Sequence, residues 1–470
     1  MRILFIVTMV LLSARAATAA DVVLTRESRE PPDPLSLTIY SDDWGMVWDR
    51  RAAALDAGTN QLAFEEVSRQ MLPSSAMIDA EAGVRLIEVS YDFALLTPDA
   101  LRRREVDRTV GVARLNPASG ERIVENGTLL SIEDGVLVRI GDRTLPVDPA
   151  DLVFYNVPSD LRPRPTLLAT VDSAAAGRKP VRLGYLTRGL GWSADYVALW
   201  DEAAGKLDLT GRATLANTTG ADFPDASVAL VAGTVHRAPE PMDRMPTARA
   251  APAAMMAEAK SLPARQEVAD LHLYQVPGRI SLSDRQTRQI SLLTLPGVPV
   301  RREYVSEAGV IAYRQSGEPQ PTHPQVQLKF DNRAPGGEAV PLPAGIVRVF
   351  VGDASGAPRL IGEDRIGPMP AGAPVTLTPG ETFDLTVLRR QTDFKKSGLP
   401  ENVSESAWSI TVQNARPKEA SVKIVEDLAG DWTILAESAT HEKEAADRLV
   451  WRLTVPGKGA TQLTYRVRVQ

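Results

Sequence analysis

The chain has 470 residues, a formal net charge of −6, a hydrophobic fraction of 44% and no cysteine. That length predicts two to four domains, and the apolar fraction is ample for packed cores, which excludes general disorder. The missing cysteines exclude disulfides, thiol nucleophiles and zinc–thiolate or iron–sulfur sites, and the negative charge argues against a nucleic-acid partner.

The first twenty residues have the three parts of a secretory signal peptide. Arg2 supplies the positive start, residues 3–12 form an apolar run, and Ala17-Thr18-Ala19 fits the small-residue cleavage rule. The run is too short for a bilayer-spanning helix, which needs about 20 residues. We therefore expect residues 1–20 to be a signal peptide and the mature protein to be periplasmic or secreted, without a transmembrane segment. An uncleaved anchor is the alternative.

Residues 21–98 are expected to form an N-terminal β domain, and residues 99–157 a small SH3-like barrel inserted after it. Short apolar runs alternate with turn signals in the second segment, and Glu133-Asp-Gly135 is a strong hairpin signal. Thr97 and Pro98 predict the N-cap and the first residue of a short helix that leads into it.

Residues 158–300 are expected to form a central β-sandwich region. Apolar and polar residues alternate through 207–215, as in a strand with one buried face. Residues 238–267 differ, because they include five prolines and four methionines but no aromatic residue. This composition predicts a flexible excursion from the β-domain. A methionine-rich docking segment is the alternative.

Residues 301–470 are expected to form a C-terminal Ig-like β-sandwich. The alternation recurs there at 326–330, 408–412 and 463–469. Three strands along the chain end in an asparagine that precedes a polar turn, namely Asn217, Asn332 and Asn414. Asparagine tolerates the backbone conformations of such turns. The sequence thus predicts an all-β, multi-domain protein of β-sandwich modules with a small inserted β-barrel.

Motifs for catalysis are missing from the sequence. It has no G-x-S-x-G or S-x-x-K pattern, and its four histidines are scattered. Gly189-Leu-Gly191 lacks the third glycine of a phosphate-binding loop. Glycosidases need two carboxylates whose spacing is three-dimensional, and a sequence with 59 acids does not single out a pair. We therefore name no catalytic residue, no metal ligand and no cofactor, and we favour a protein that is not an enzyme.

Aromatic residues provide the best candidate ligand surface. Two tryptophans are four residues apart near the start of the chain, and three aromatic residues repeat this step further on. Side chains four apart in a strand share one face, where rings can stack on a sugar or a peptide. The candidate ligand-binding residues are Trp44, Trp48, Arg188, Trp192, Tyr196 and Trp200. The alternative is that the aromatic rings anchor cores.

Several segments resemble a bacterial secreted family called domain of unknown function 4139. They are Leu186-Thr-Arg-Gly-Leu-Gly-Trp-Ser-Ala-Asp-Tyr196, Leu209-Thr-Gly, Asn217, Asp222-Phe-Pro-Asp-Ala226 and the closing Leu463-Thr-Tyr-Arg-Val-Arg-Val469. The resemblance implies no defined activity and no catalytic residues. A neighbouring branch named mucoidy inhibitor implies a link to exopolysaccharide. That branch has a coiled-coil segment, for which this sequence shows no heptad run.

Two functions are therefore expected from the sequence. The first is a non-enzymatic cell-envelope protein whose β-domains bind or scaffold another envelope component, which is a protein or a glycan. The alternative is a carbohydrate-binding or carbohydrate-active protein that uses exposed aromatic and acidic residues. An open cleft with convergent polar groups is the structural feature that separates them.

Overall fold

The computed structural model describes residues 22–31, 33–80, 82–92, 95–115, 120–158, 161–233, 235, 264–268, 271–310, 313–315, 318–396 and 403–470. The predicted signal peptide and most of the predicted excursion at 238–267 lie outside the described residues. Strands account for 66% and helices for 4%, in several sheets. The prediction of an all-β chain is confirmed.

The strands are numbered in chain order. Those up to residue 153 are β1 (Val22–Leu24), β2 (Leu35–Tyr40), β3 (Trp44–Leu55), β4 (Gly58–Glu65), β5 (Met77–Ala80), β6 (Val84–Asp92), β7 (Thr109–Leu115), β8 (Arg122–Ser131), β9 (Val136–Ile140), β10 (Arg143–Val147) and β11 (Leu152–Val153). Those that follow, up to residue 309, are β12 (Thr166–Ser173), β13 (Gly177–Arg188), β14 (Leu190–Asp201), β15 (Lys206–Asn217), β16 (Phe223–Ala232), β17 (Ala264–Val268), β18 (Leu271–Leu282), β19 (Gln286–Pro299) and β20 (Arg301–Gly309).

The remaining strands and the helices complete the described elements. These strands are β21 (Gln325–Asp331), β22 (Gly345–Gly352), β23 (Pro358–Ile366), β24 (Pro374–Glu381), β25 (Leu385–Lys396), β26 (Ser404–Asn414), β27 (Ala420–Asp427), β28 (Trp432–Glu437), β29 (Glu442–Ala445), β30 (Arg448–Val455) and β31 (Gly459–Val469). The helices are α1 (Pro98–Arg104) and the 3-10 turns Arg26–Ser28, Pro73–Ser75 and Pro149–Asp151.

Local sequence signals explain several of these elements. Helix α1 begins at Pro98, and the Thr97 side chain accepts a hydrogen bond from the Ala100 backbone N–H at 3.1 Å, as predicted. The turn between β8 and β9 has positive φ at Asp134 (53°) and Gly135 (126°), which the hairpin signal predicted.

The chain divides into two compact units. The first unit comprises Met1–Gly191, Ala216–Leu230 and Gly278–Arg288, and the second comprises Trp192–Leu215, Val231–Pro277 and Gln289–Gln470. The boundary falls within β14, β15, β16, β18 and β19. Each part of these strands is therefore described with its own unit.

The first unit contains three sheets. Their strand orders are β1-β4-β12-β6, then β10-β9-β8-β7-β11, and β16-β2-β3-β13-β5 with residues 278–282 of β18 beside β16. The second sheet has its own hydrophobic core, which includes Val110, Leu129 and Val138. The pairings of its described strands form an open sheet, so the SH3-like barrel stays a prediction.

The second unit also contains three sheets, two of which share a core. Their strand orders are β19-β15-β14-β22-β23, β24-β21-β20-β27-β30-β29 and β25-β26-β31-β28. One hydrophobic cluster includes Trp408 and Ile410 from β26 together with Val422 and Trp451 from the facing sheet. The predicted alternation in β26 is confirmed, because Trp408, Ile410 and Val412 are all buried.

The three asparagines noted in the sequence form side-chain hydrogen bonds to the backbone at the ends of strands. Asn217, Asn332 and Asn414 are buried, and the side-chain N–H groups of each donate to backbone carbonyl oxygens across the following turn. These acceptors are Ala221, Val340 and Lys418, at 2.9, 2.8 and 2.9 Å respectively. The side chains therefore satisfy carbonyls that the strand ladders leave unpaired. Among the described residues, no helix is long and apolar enough to cross a membrane.

Candidate functional site

Strands β3 and β13 of the first unit carry two tryptophan–arginine pairs on one side. Neighbouring residues of a strand point to opposite sides, and along β3 the buried Val47 and Asp49 alternate with the half-buried Trp44 and Trp48. The tryptophans therefore lie on the side of the sheet away from its core. We call this surface, defined by Trp44, Trp48, Arg182 and Arg188, the tryptophan–arginine face.

The register of β3 and β13 places a guanidinium over each indole. Arg188 lies directly opposite Trp44, and its Cζ is 4.9 Å from the centroid of the Trp44 ring. The Arg182 Cζ is 4.3 Å from the Trp48 ring centroid. Both distances are within the range of cation–π attraction, which is worth about 0.5–1 kcal/mol at exposed sites. The attraction also restrains the positions of the two guanidinium groups over the rings.

The tryptophan–arginine face continues onto the neighbouring strands. Ser36 and Thr38 of β2 lie opposite Trp48 and Met46, and they share the side of the tryptophans because directly paired residues point to the same side. On the other edge, Met77 of β5 is opposite Gly184 and is 47% exposed. The result is an open surface of rings, guanidinium groups and hydroxyls on the interior strands of a sheet.

A buried ionic cluster lies on the core side of β3. Asp49 accepts hydrogen bonds from Arg29 Nε at 3.0 Å and from Arg51 Nη2 at 2.8 Å, and Arg51 is fully buried. Burial alone would raise the pKa of Asp49, but the charges of Arg51 and Arg29 hold that pKa below its usual value. This cluster fixes β3 from beneath, and its carboxylate is engaged on both oxygens.

The other three predicted residues lie on β14 in the second unit and are buried. Trp192, Tyr196 and Trp200 are 5%, 0% and 7% exposed. Trp192 Nε1 donates to the Val231 carbonyl at 3.0 Å, and the Tyr196 hydroxyl donates to the Pro343 carbonyl at 2.8 Å. These are the contacts of packing residues, and the ligand-binding role of the three stays a prediction.

A cavity of about 550 Å³ lies at the end of β14 in the second unit. Its lining combines the Trp200 ring with four charged side chains, which are Asp201, Glu202, Lys206 and Asp208. Arg302 forms an ion pair with Glu202 and lies 5.5 Å over the Trp200 ring. Asp208 Oδ1 accepts from the Gly297 backbone N–H at 2.6 Å. Asp201 Oδ1 likewise accepts from the Ala204 backbone N–H at 2.9 Å. An aromatic residue and three acids therefore line one cavity, and each of these acids already has a partner within the chain.

Sequence reasoning proposed Trp44, Trp48 and Arg188 of the first unit as ligand-binding residues but did not single out Arg182 and Gly184, which the structure places beside them. No sequence pattern marks these two residues, because their role depends on the pairing of strands more than 130 positions apart. Within the described ranges, no group of three or more histidine, aspartate or glutamate side chains is arranged to hold a metal ion.

The fold and the surface define an all-β protein of several sheets that carries tryptophan and arginine side chains together on one face of a sheet. A family model described as "Domain of unknown function (DUF4139)" matches residues 181–470. The chain therefore belongs to the DUF4139 family. The match includes Arg182 and Arg188, whereas Trp44 and Trp48 precede it. No curated protein matches the chain.

Proposed function

We propose that the protein is an exported, non-enzymatic binding or scaffolding protein of the cell envelope. The main support is the tryptophan–arginine face, where two half-buried indoles each lie beneath an exposed guanidinium. Tryptophan and arginine are the residue types that most often dominate binding energy at interfaces. They stand here on paired strands, and a rigid support lowers the entropy cost of binding.

A comparison of variants in envelope extract tests this proposal. The mature chain is immobilised, and the retained proteins and glycans are compared with those retained by the double variant Arg182→Gln/Arg188→Gln. A matched control is Arg85→Gln, since Arg85 is on β6 of the same unit and its side chain is 74% exposed. We expect a component that wild type and control retain and the double variant loses. Equal retention by all three proteins would refute the proposal.

Export is supported by the charged start, apolar run and small-residue cleavage site within residues 1–20. We expect the full chain, produced in a bacterial host, to reach the periplasm or the medium. Mass spectrometry should find that the mature N-terminus follows residue 19 or 20. A chain that keeps residues 1–20 in the cytoplasm contradicts export.

The second candidate function is a carbohydrate-binding or carbohydrate-active protein. It is favoured by the cavity at the end of β14, where Trp200 lies beside Asp201, Glu202 and Asp208. Binding and hydrolysis of a polysaccharide panel by wild type and by Asp201→Asn test it. Binding or turnover that the substitution removes, without a change in thermal unfolding, supports this function. A panel without binding or turnover rules it out.

A finer domain plan is also proposed, with an N-terminal domain at 21–98, an SH3-like barrel at 99–157, a central region at 158–300 and an Ig-like sandwich at 301–470. It is supported by the separate hydrophobic core of β7–β10 and by the core that the last two sheets share. Limited proteolysis of the mature chain should cut first within 238–267 and then near the other boundaries. Early cuts inside β26 or β31 would contradict the plan.

A further inference from the structure

We infer that the tryptophan–arginine face binds an acidic polysaccharide, with one anionic group of the polymer on each stacked guanidinium. This inference rests on the proposed binding function of the same face. It adds the chemical class of the ligand, which follows from three features: the covered rings, the distance between the two pairs, and the interior position of the strands.

The covered rings favour an anion over a neutral sugar. A neutral sugar that stacks on tryptophan needs a bare indole, but guanidinium groups lie 4.9 and 4.3 Å from the ring centroids of Trp44 and Trp48. A stacked guanidinium keeps its N–H donors in its own plane, which is the geometry that a carboxylate accepts in a bidentate pair. Both arginines are exposed, so an anion in solution can reach them.

The distance between the two pairs requires an extended ligand. Trp44 and Trp48 are four residues apart on β3, and Arg182 and Arg188 are six residues apart on β13. A strand rises about 3.3 Å per residue, so the two tryptophans are attached about 13 Å apart and the two arginines about 20 Å apart. A single carboxylate or phosphate is too small to contact both. A linear polymer with repeated charges contacts both guanidinium groups at once, and the second contact then forms at high effective concentration.

The interior position of β3 and β13 disfavours an extended peptide. Peptides commonly bind sheets by adding a strand at a free edge. β3 is paired with β13 along its length and with β2 at residues 45–49, and β13 is paired with β5 at residues 181–184. Beyond β5, the Leu186 carbonyl accepts from the Leu72 backbone N–H and the Arg188 backbone N–H donates to the Gln70 carbonyl. The backbone groups beneath the tryptophan–arginine face therefore already have partners. Recognition must come from side chains. The hydroxyls of Ser36 and Thr38, opposite Trp48 and Met46, can both donate to and accept from the hydroxyls of a glycan.

Polygalacturonate oligomers are a suitable probe, because they are linear and carry a carboxylate on every sugar. We expect the mature wild-type chain to bind them, and Arg182→Gln and Arg188→Gln each to weaken binding about tenfold or more. Arg182→Lys and Arg188→Lys keep the charge but lose the planar fork, so their affinity should stay below that of wild type. Arg85→Gln on β6 is the control and should bind as wild type does.

Three comparison ligands complete the experiment, and thermal unfolding checks that each variant is folded. Neutral dextran should not bind, and galacturonate monomer should bind far more weakly than the oligomers. If poly-glutamate binds as tightly as polygalacturonate, the proposed glycan ligand is wrong and an acidic peptide is favoured instead. If polygalacturonate does not bind but an envelope component is still retained through Arg182 and Arg188, the proposed ligand class is wrong and the proposed binding function stands. If neither polygalacturonate nor an envelope component binds through these arginines, the proposed binding function is wrong as well.

Discussion

The indole of Trp48 lies against the backbone of Gly184, its partner in the β3–β13 ladder. A Cβ placed on Gly184 would lie 2.4 Å from Cζ3 of that indole, which is far closer than a van der Waals contact. Glycine at this position therefore leaves room for the indole, whose centroid is 4.3 Å from the Arg182 Cζ. The orientation of one tryptophan–arginine pair depends on a residue that has no side chain.

The first prediction concerns this contact. Gly184→Ala should displace the Trp48 ring and separate it from Arg182, which weakens ligand binding at the tryptophan–arginine face. Because the added methyl group overpacks the site, we expect the free energy of unfolding to fall by about 1–3 kcal/mol. Urea denaturation and ligand titration measure the two effects. Gly367→Ala is the control, since a Cβ there meets nothing within 4 Å, and it should change neither quantity.

Strand periodicity predicted much of the fold. In β15, residues 207, 209, 211, 213 and 215 are buried, as their alternation with polar residues indicated. The same reasoning placed Trp44 and Trp48 on one face of a strand, which the structure confirms. Such patterns are local, and a single strand of five to ten residues is enough to show them.

Periodicity could not predict which aromatic face is exposed. Trp192, Tyr196 and Trp200 have the same spacing as Trp44 and Trp48, yet they are buried. The difference comes from the elements that cover each side of a strand, and those elements are distant in sequence. The role of Arg182 depends on the register between β3 and β13, which is likewise a property of the folded chain.

The second prediction concerns the ionic cluster beneath β3. Asp49→Asn removes the carboxylate that forms ion pairs with both Arg29 and Arg51, whose guanidinium groups are largely buried. Loss of one partner from a buried ion pair typically costs about 3–5 kcal/mol, and we expect a loss of that size in urea denaturation at pH 7. Asp172→Asn is the control, because the Asp172 side chain is 44% exposed, and it should change stability little. Similar losses for both variants would show that the cluster contributes nothing particular.

The third prediction concerns the asparagine that ends β26. Asn414 donates to the carbonyl oxygens of Lys418 and Val455 and accepts from the Arg416 backbone N–H at 2.9 Å. Asn414→Ala leaves these buried groups without a partner, so the unfolding free energy should fall by about 1–3 kcal/mol. The neighbouring Gln413→Ala alters an exposed side chain of the same strand and should have little effect. An equally small effect at Asn414 would contradict the role of the side chain in this turn.

The fourth prediction concerns the pH dependence of the shared core of the last two sheets. Glu426 on β27 is fully buried and pairs with Arg389 on β25. Burial raises the pKa of Glu426 from its ordinary value of 4.5 to about 7, although the charge of Arg389 opposes the shift. Between these two pH values the folded chain holds a proton that the unfolded chain has lost. The contribution of Glu426 to the free energy of unfolding is therefore greatest below about pH 4.5. It falls as the pH rises to about 7 and is constant above that.

Comparison with Glu426→Gln isolates this group, because the other titrating groups contribute alike to both proteins. At about 1.4 kcal/mol per pKa unit, the stability of wild type relative to Glu426→Gln should fall by up to about 3 kcal/mol between pH 5 and pH 8. Urea denaturation at unit steps of pH measures the difference. Arg389→Met should extend the fall above pH 7, since the arginine charge lowers the pKa of the carboxyl. A difference that stays constant across this range would mean that Glu426 does not titrate within it.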